Sequence, residues 1–225
     1  MLTLIIPFHR DTERLAHSLS AIDAYRNMHP NLLSEVILVH NGISEVPKLI
    51  LPTFAKTLHT NTLGLGAAYR LGISAATSSW CLLSASDLPF GFSDVDAAAL
   101  DTWQRGIYIG SKLHEKSDSR SHGSLRLILS RIFYYWRFLV LDVRLPRDTQ
   151  GTILLPTDIA KKLVLEVEAD DFFFTTELLY RAACRGLSIR ELPIRQLPQI
   201  SSSSVRFWHD GFTLFYRTFR LRSKK

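Results

Sequence analysis

The sequence predicts an α/β fold in which a mostly parallel central sheet is covered by helices on both faces. Short apolar runs that are typical of buried strands occur at residues 2–7, 35–39 and 80–84. Segments with helical spacing, residues 11–25 and 66–77, lie between them, so strand and helix alternate along the chain. Such alternation is typical of parallel strands joined by helical crossovers.

Composition predicts a single domain that spans residues 1–225. The chain has 46% hydrophobic and 21% charged residues, as globular proteins do, and no linker rich in proline, glycine or serine divides it. Cys81 and Cys184 show no metal-ligand spacing, which favours a reducing cytoplasmic location. No uncharged apolar run approaches the roughly 20 residues of a spanning helix.

The net charge of +6 favours polyanionic partners. We expect no nucleic-acid partner, because no zinc spacing, recognition helix or stacking motif accompanies the charge. Residues 125–143 and 205–221 are both basic and aromatic, a pattern that predicts amphipathic helices lying on a membrane surface.

The first of these two segments has an alternative interpretation. Its arginines would lie on a solvated face while its apolar side chains pack on the core. Under that interpretation the core-facing side chains are Phe133, Tyr134, Leu139 and Leu141.

Ligands of open parallel sheets bind beyond the carboxyl ends of the strands. The loops at residues 8–11, 40–44, 61–66 and 85–90 follow predicted strands and are therefore the expected ligand-binding loops.

Seven motifs occur in order along nearly the whole chain: residues 4–9 (LIIPFH), 35–42 (EVILVHNG), 61–68, 84–88 (SASDL), 109–112 (IGSK), 147–151 (RDTQG) and 174–194. Together they resemble those of the polyprenyl-phosphate (dolichyl-phosphate) mannose and glucose synthases. These enzymes are family-2 glycosyltransferases of the GT-A type. The resemblance implies a GT-A, Rossmann-like nucleotide-diphospho-sugar transferase fold, in which residues 1–110 bind the donor and residues 111–225 bind the acceptor.

The resemblance also implies roles for individual residues on the donor side. A nucleoside-diphosphate sugar would be the donor, and Lys112 and Arg131 would neutralise its phosphate charge. Asp87 would bind Mg²⁺ or Mn²⁺ as the remaining carboxylate of a D-x-D signature that here reads Ala85-Ser86-Asp87. The implied nucleotide-binding residues are Pro7, His9, Asp11, Asn41, Gly64, Gly66 and Ser86.

On the acceptor side, the resemblance implies a polyprenyl phosphate, bound where a peripheral enzyme of the cell envelope would meet the cytoplasmic face of a membrane. Asp148, Gln150 and Glu177 are the implied catalytic residues beside Asp87. A polyprenyl phosphate is already ionised near neutral pH, so Asp148 and Gln150 would position it. A sugar or protein hydroxyl would instead need a base, and Asp148 is the first candidate.

Three departures from the family pattern leave a second function open. Ala85 replaces a metal-binding carboxylate of the family. Asn41 belongs to a His-Asn-Gly sequence at the place where the family usually has Asp-Asp-Gly, and Thr175 stands where the family often has Asp. A catalytically silent subunit that binds a nucleotide or a lipid would also show these departures.

Overall fold

The computed structural model describes residues 1–9, 12–43, 47, 51–100, 103–118, 124–141, 143–197 and 207–223. The strands are β1 (Leu2–Phe8), β2 (Leu33–Asn41), β3 (Ala55–Thr60), β4 (Trp80–Leu83), β5 (Ile107–Ser111), β6 (Ile153–Pro156) and β7 (Ile189–Pro193). The helices are α1 (Thr12–Met28), α2 (Leu65–Ala75), α3 (Ser93–Leu100), α4 (Ser124–Val140), α5 (Thr157–Leu163), α6 (Phe174–Cys184) and α7 (Phe207–Arg222).

The strands form one sheet in the order β3-β2-β1-β4-β6-β5-β7. Strand β6 is antiparallel to both of its neighbours, and the other pairings are parallel. The chain moves outward from β1 through β2 to β3 and then returns to place β4 on the other side of β1. This reversal opens a crevice beyond β1 and β4, where doubly wound sheets bind their ligands.

Apolar side chains cover both faces of the sheet. One core cluster joins the sheet to α1 and α3 through side chains such as Leu15, Ile22 and Val95. The other cluster joins the opposite face to α2, α5 and α6, with Tyr69 and Phe174 among its members. The predicted sheet with helices on both faces is therefore confirmed.

Two details of the sheet differ from the sequence prediction. The sequence of residues 49–58 resembles a short strand, whereas β3 begins at Ala55, after a turn in which the Ala55 N–H donates to the Pro52 carbonyl at 2.9 Å. Periodicity also gave no sign that β6 runs antiparallel to the other strands. The division of the domain at residue 110 stays a prediction.

The basic, aromatic segments form α4 and α7, which pack against each other through an aromatic contact. The Trp136 indole N–H donates to the Phe215 carbonyl at 3.3 Å, and the two rings meet edge to face. Arg222 donates from Nη1 to the Val140 carbonyl at 3.1 Å. No helix among the described residues combines the length and the apolar character needed to cross a bilayer.

The alternative interpretation of the first segment is wrong for two side chains. Leu141 is buried, but Leu139 is 74% exposed, and Arg137, which was expected on a solvated face, is only 2% exposed. Helix α4 therefore turns apolar side chains outward and one arginine inward.

Candidate active site

The sequence-predicted site residues gather at one edge of the sheet, where six parallel strands end and antiparallel β6 begins. In spatial order this edge carries His59 of β3, His40 and Asn41 of β2, His9 after β1, Asp87 after β4, residues 148–151 before β6 and Lys112 after β5. The step from β2 to β6 crosses three strand spacings, or roughly 14 Å. These candidate residues therefore form a line along the sheet edge, which is called the row below.

Three histidines stack at the β1–β2–β3 end of this row. The ring centroids of His9 and His40 are 5.9 Å apart, and those of His40 and His59 are 5.2 Å apart, with nearly parallel planes. His9 also donates from Nδ1 to the Asn41 carbonyl at 2.6 Å, so its ring is fixed over the β2 turn. His59 was not a sequence candidate, because only its register opposite His40 reveals it.

Hydrogen bonding indicates which ring nitrogens of His40 and His59 carry protons. Nε2 of His40 faces the His9 carbonyl at 3.1 Å, and Nε2 of His59 faces Oδ1 of Asn61 at 2.9 Å, so both nitrogens carry protons. The two Nδ1 atoms lie 3.0 Å apart and need one further proton to form a hydrogen bond. Burial, followed by the charge of His59, lowers the pKa of His40. His40 therefore favours its neutral form.

The glycine loop that leads into α2 is fixed by contacts with the backbone of Asp170. The N–H groups of Gly66 and Ala67 both donate to the Asp170 carbonyl, at 2.7 and 3.1 Å. A Cβ on Gly64, whose φ is +123°, would lie 2.0 Å from that same oxygen. The Asn41 carboxamide donates to the Gly64 carbonyl at 2.9 Å. These glycines thus dock the loop against Asp170, and their nucleotide contact stays a prediction.

Asp87 follows β4 in a tight turn that is held from two sides. The Ser18 hydroxyl of α1 donates to the Ser86 carbonyl at 2.6 Å. Leu88 takes the left-handed φ of +41°, a strained conformation for a leucine, and its buried side chain anchors the turn in the core. Burial and the nearby Asp87 carboxylate raise the pKa of Tyr69. Asp87 itself is half-buried at the crevice between β1 and β4.

The protein side chains at this site fit a divalent cation only if the substrate supplies further metal ligands. Among the described residues, no group of three histidine, cysteine, aspartate or glutamate side chains is arranged to hold a metal. Asp87 offers a single carboxylate, whereas Mg²⁺ is commonly held by one or two carboxylates together with substrate phosphates. Pro7 is buried in β1, past the last β1–β4 pair, at the mouth of the same crevice.

The acceptor side of the row is organised around Asp148. Its Oδ2 accepts the Lys112 N–H at 3.2 Å, and its Oδ1 accepts the Gln150 N–H at 2.9 Å. Gln150 donates from Nε2 to the Thr176 hydroxyl at 3.1 Å, and the Thr149 and Thr176 hydroxyls are 2.8 Å apart. Asp148 and Gln150 therefore lie together, in contact with the first turn of α6. Thr176 is a site residue that the sequence analysis missed.

Close backbone packing explains why two motif glycines stand beside Asp148. A Cβ on Gly151 would lie 1.8 Å from the Gly110 carbonyl oxygen.

The neighbouring Thr152 hydroxyl donates to Oδ2 of Asp94, which is fully buried. Burial raises the pKa of Asp94 to about 6, although the hydrogen bonds from Thr152 and from the backbone oppose the shift.

Glu177 is held in a structural position. Its Oε2 accepts the Ala169 N–H at 3.0 Å, and its Oε1 pairs with Arg181 at 3.2 Å. A cavity of about 430 Å³ lies beside Glu177, between the loop at residues 168–171 and α7; Arg217 and Arg220 also line it. These contacts join α6 to the loop that holds Gly66, and a catalytic role for Glu177 stays a prediction.

Arg131 belongs to helix α4 and not to the loops of this sheet edge. It is exposed, and its contact with phosphate stays a prediction. Asp11 lies outside the described residues.

Comparison with known proteins supports the predicted family resemblance. No protein-family model matches the chain. A dolichyl-phosphate beta-glucosyltransferase of Drosophila melanogaster is 27% identical over 231 residues, which cover 92% of this chain and 70% of that protein. The chain is thus similar in sequence to the dolichyl-phosphate glucosyltransferases. The human relative of that name is 25% identical over 230 residues, with the same coverage. The predicted resemblance to family-2 glycosyltransferases is confirmed.

Solved structures support the predicted fold of the chain. TarS 1-349 of S. aureus in complex with UDP-GlcNAc superposes with a TM-score of 0.52 at 14% identity, over 96% of this chain and 66% of that chain. This chain thus spans just under two thirds of that TarS chain. A mycobacterial protein superposes with a TM-score of 0.58 at 14% identity, over 98% of this chain and 73% of that chain. The GT-A fold is therefore confirmed.

Proposed function

We propose that this protein is a glycosyltransferase that moves a sugar from a nucleoside diphosphate to a polyprenyl phosphate at the cytoplasmic face of a membrane. The names of the relatives support glucose as the sugar and dolichyl phosphate or a similar lipid as the acceptor. A fold neighbour bound to UDP-GlcNAc supports UDP as the nucleotide. Two free cysteines are in keeping with a reducing compartment.

The main support for this proposal is the order of the candidate site residues along the sheet edge. Histidines and Asn41 at β1–β3 suit a base and a ribose, Asp87 at β4 suits a metal and a diphosphate, and Asp148 before β6 suits the acceptor. An extended nucleoside-diphosphate sugar presents the same sequence of chemical groups. Binding it along the row would bring its anomeric carbon to the acceptor loop, and such alignment of reactants lowers the barrier to transfer.

On the donor side, charge neutralisation is the main requirement. Mg²⁺ or Mn²⁺ held by Asp87 and by substrate phosphates would offset the charge of the departing nucleoside diphosphate. Lys112, whose Nζ lies 5.7 Å from the Phe90 ring centroid, adds a positive charge at the acceptor end of the row.

On the acceptor side, the hydrogen bonds of Asp148 favour a phosphate over a hydroxyl. Both carboxylate oxygens already accept backbone N–H groups, so Asp148 holds two loop segments together. A phosphate oxygen attacks without losing a proton, because it is ionised near neutral pH. Asp148 and Gln150 then act as positioning groups for the acceptor.

The outer faces of α4 and α7 support contact with a lipid surface. Their exposed apolar side chains lie among exposed arginines, including Arg131 and Arg220, as in helices that lie among lipid headgroups. The large exposed side chains are Ile132, Tyr135, Phe138, Leu139, Tyr216 and Phe219.

A transfer assay tests the proposed function. Purified protein is incubated with a polyprenyl phosphate in detergent and with UDP-glucose, UDP-GlcNAc, GDP-mannose or dTDP-glucose, with and without Mn²⁺. We expect one sugar donor to yield a glycosylated lipid phosphate by mass spectrometry and to raise the melting temperature of the protein. A donor that binds without product would support the silent binding subunit, and the absence of both binding and product would contradict the proposal.

A further inference from the structure

Arg137 is a buried arginine that supports the loop carrying Asp148. It is 2% exposed, and its Nη2 donates to the carbonyls of Pro146 at 3.2 Å and Arg147 at 2.8 Å. The other side of the same peptide segment is also held, because the Arg147 N–H donates to Oε1 of Glu191 at 2.5 Å. Residues 146–151, named here the acceptor loop, are therefore clamped at their first peptide groups.

The guanidinium is costly where it lies. Its Nε and Nη1 are buried and have no hydrogen-bond partner within the described part of the chain. An incompletely satisfied buried charge destabilises a fold, and an apolar side chain of similar volume is often tolerated better. Stability alone therefore does not account for an arginine that reaches two carbonyls next to Asp148.

The same helix turn that carries Arg137 also presents apolar side chains to solvent. Phe138 is 59% exposed and Leu139 is 74% exposed, one and two residues further along α4. The end of this turn is fixed to α7 by the bond from Arg222 to the Val140 carbonyl. Helix α4 thus offers an apolar surface on its outer side and contacts the acceptor loop on its inner side.

We propose that Arg137 is a positioning residue that couples docking of α4 on a lipid surface to placement of the acceptor loop. Docking restrains α4, Arg137 restrains the carbonyls of residues 146 and 147, and Asp148 passes the restraint to Lys112 and Gln150 through its two hydrogen bonds. The inference rests on the proposed function, since it concerns regulation of the same site. A lipid surface then acts as an activator as well as the place where the acceptor resides.

The test separates docking from chemistry by using citronellyl phosphate, a short water-soluble acceptor, with UDP-glucose as donor. Vesicles of phosphatidylcholine and phosphatidylglycerol that lack any acceptor are added as the activating surface. For the parent protein we expect vesicles to raise kcat about fivefold, the lower end of typical coupling between sites. For Arg137→Met we expect that ratio to fall close to one while co-sedimentation with vesicles is unchanged.

Two further variants sharpen the result. Arg137→Lys keeps the charge and most of the volume, but an ammonium cannot reproduce the planar fork, so we expect less than half of the parent stimulation. Arg144→Met removes an exposed arginine close by in sequence and should retain full stimulation. Equal stimulation in the parent, Arg137→Met and Arg137→Lys would overturn the inference.

Hydrogen exchange gives a readout that does not require turnover. Vesicles should slow amide exchange in peptides covering residues 147–151 of the parent protein, and should leave that exchange unaltered in Arg137→Met. If the parent binds vesicles without any change in this loop, the inference fails although the proposed function stands. If no donor and acceptor pair reacts while the loop still responds through Arg137, the proposed function fails and the coupling stands.

Discussion

Asp148 accepts the backbone N–H of Lys112 at 3.2 Å and so joins two loops that are 36 residues apart in the chain. Lys112 follows β5, whereas Asp148 precedes β6, and these strands are neighbours in the sheet. The contact makes a carboxylate the structural centre of the acceptor side. Its importance can be measured by changing one atom of that side chain.

Asp148→Asn tests this positioning role. The asparagine amide would place an N–H donor against one of the two backbone donors, so one hydrogen bond would be lost and the loop would shift. We expect kcat for a polyprenyl phosphate to fall about 100-fold, the cost of a displacement near 1 Å, with little change in donor KM. Asp158→Asn, which changes an exposed carboxylate, should keep the parent kcat. An unchanged kcat in Asp148→Asn would exclude the role.

Thr176→Val tests the support that α6 gives to the acceptor loop. The change removes the hydroxyl that contacts both Thr149 and Gln150 and takes that partner away from the buried Thr149 hydroxyl. We expect a loss of about 1–3 kcal/mol in the free energy of unfolding, measured by urea denaturation, together with reduced turnover. Thr175→Val is the matched control, because that neighbouring hydroxyl makes only a 3.4 Å contact with the Phe172 carbonyl. Equal losses in the two variants would argue against a specific support.

Ala85→Asp tests whether the single carboxylate limits metal binding. A second carboxylate in the turn after β4 would add a ligand beside Asp87. In thermal-shift titrations with UDP-glucose, we expect the Mn²⁺ concentration at half-maximal stabilisation to fall by roughly tenfold. Asp87→Asn should abolish the Mn²⁺ dependence of stabilisation. If the parent and Asp87→Asn respond identically to Mn²⁺, Asp87 does not bind the metal.

The raised pKa of Asp94 predicts that the free energy of unfolding depends on pH. Its pKa rises from 3.8 in the unfolded chain to about 6 in the folded one, so the folded state binds a proton more tightly. The associated stability is fully present below pH 3.8 and is lost as pH rises through about 6, a change of about 3 kcal/mol. The difference in unfolding free energy between parent and Asp94→Asn should vary with pH across this window. A constant difference from pH 3.5 to pH 7 would refute the assignment.

Much of the row of site residues could be predicted from the sequence. Apolar runs mark the strands, and polar residues such as His9, Asn41 and Asp87 stand where those runs end. Because the carboxyl ends of parallel strands meet at one edge, local patterns were enough to bring these residues together.

Other features depend on long-range contacts that no local pattern reveals. Sequence spacing gives no hint that Arg137 points inward, since it stands among apolar residues at a position that would equally suit a solvated face. The histidine stack requires the register between β2 and β3, which sets His40 opposite His59. The antiparallel direction of β6 likewise follows from tertiary packing rather than from its four-residue sequence.

A comparison of two acceptors tests whether the protein transfers a sugar to a lipid phosphate. The protein is given its preferred sugar donor together with equal amounts of a polyprenyl phosphate and the corresponding polyprenol, and both products are quantified by mass spectrometry. We expect glycosylated polyprenyl phosphate and no glycosylated polyprenol, because the site offers positioning groups rather than a free base. Product on the alcohol at a comparable rate would contradict it.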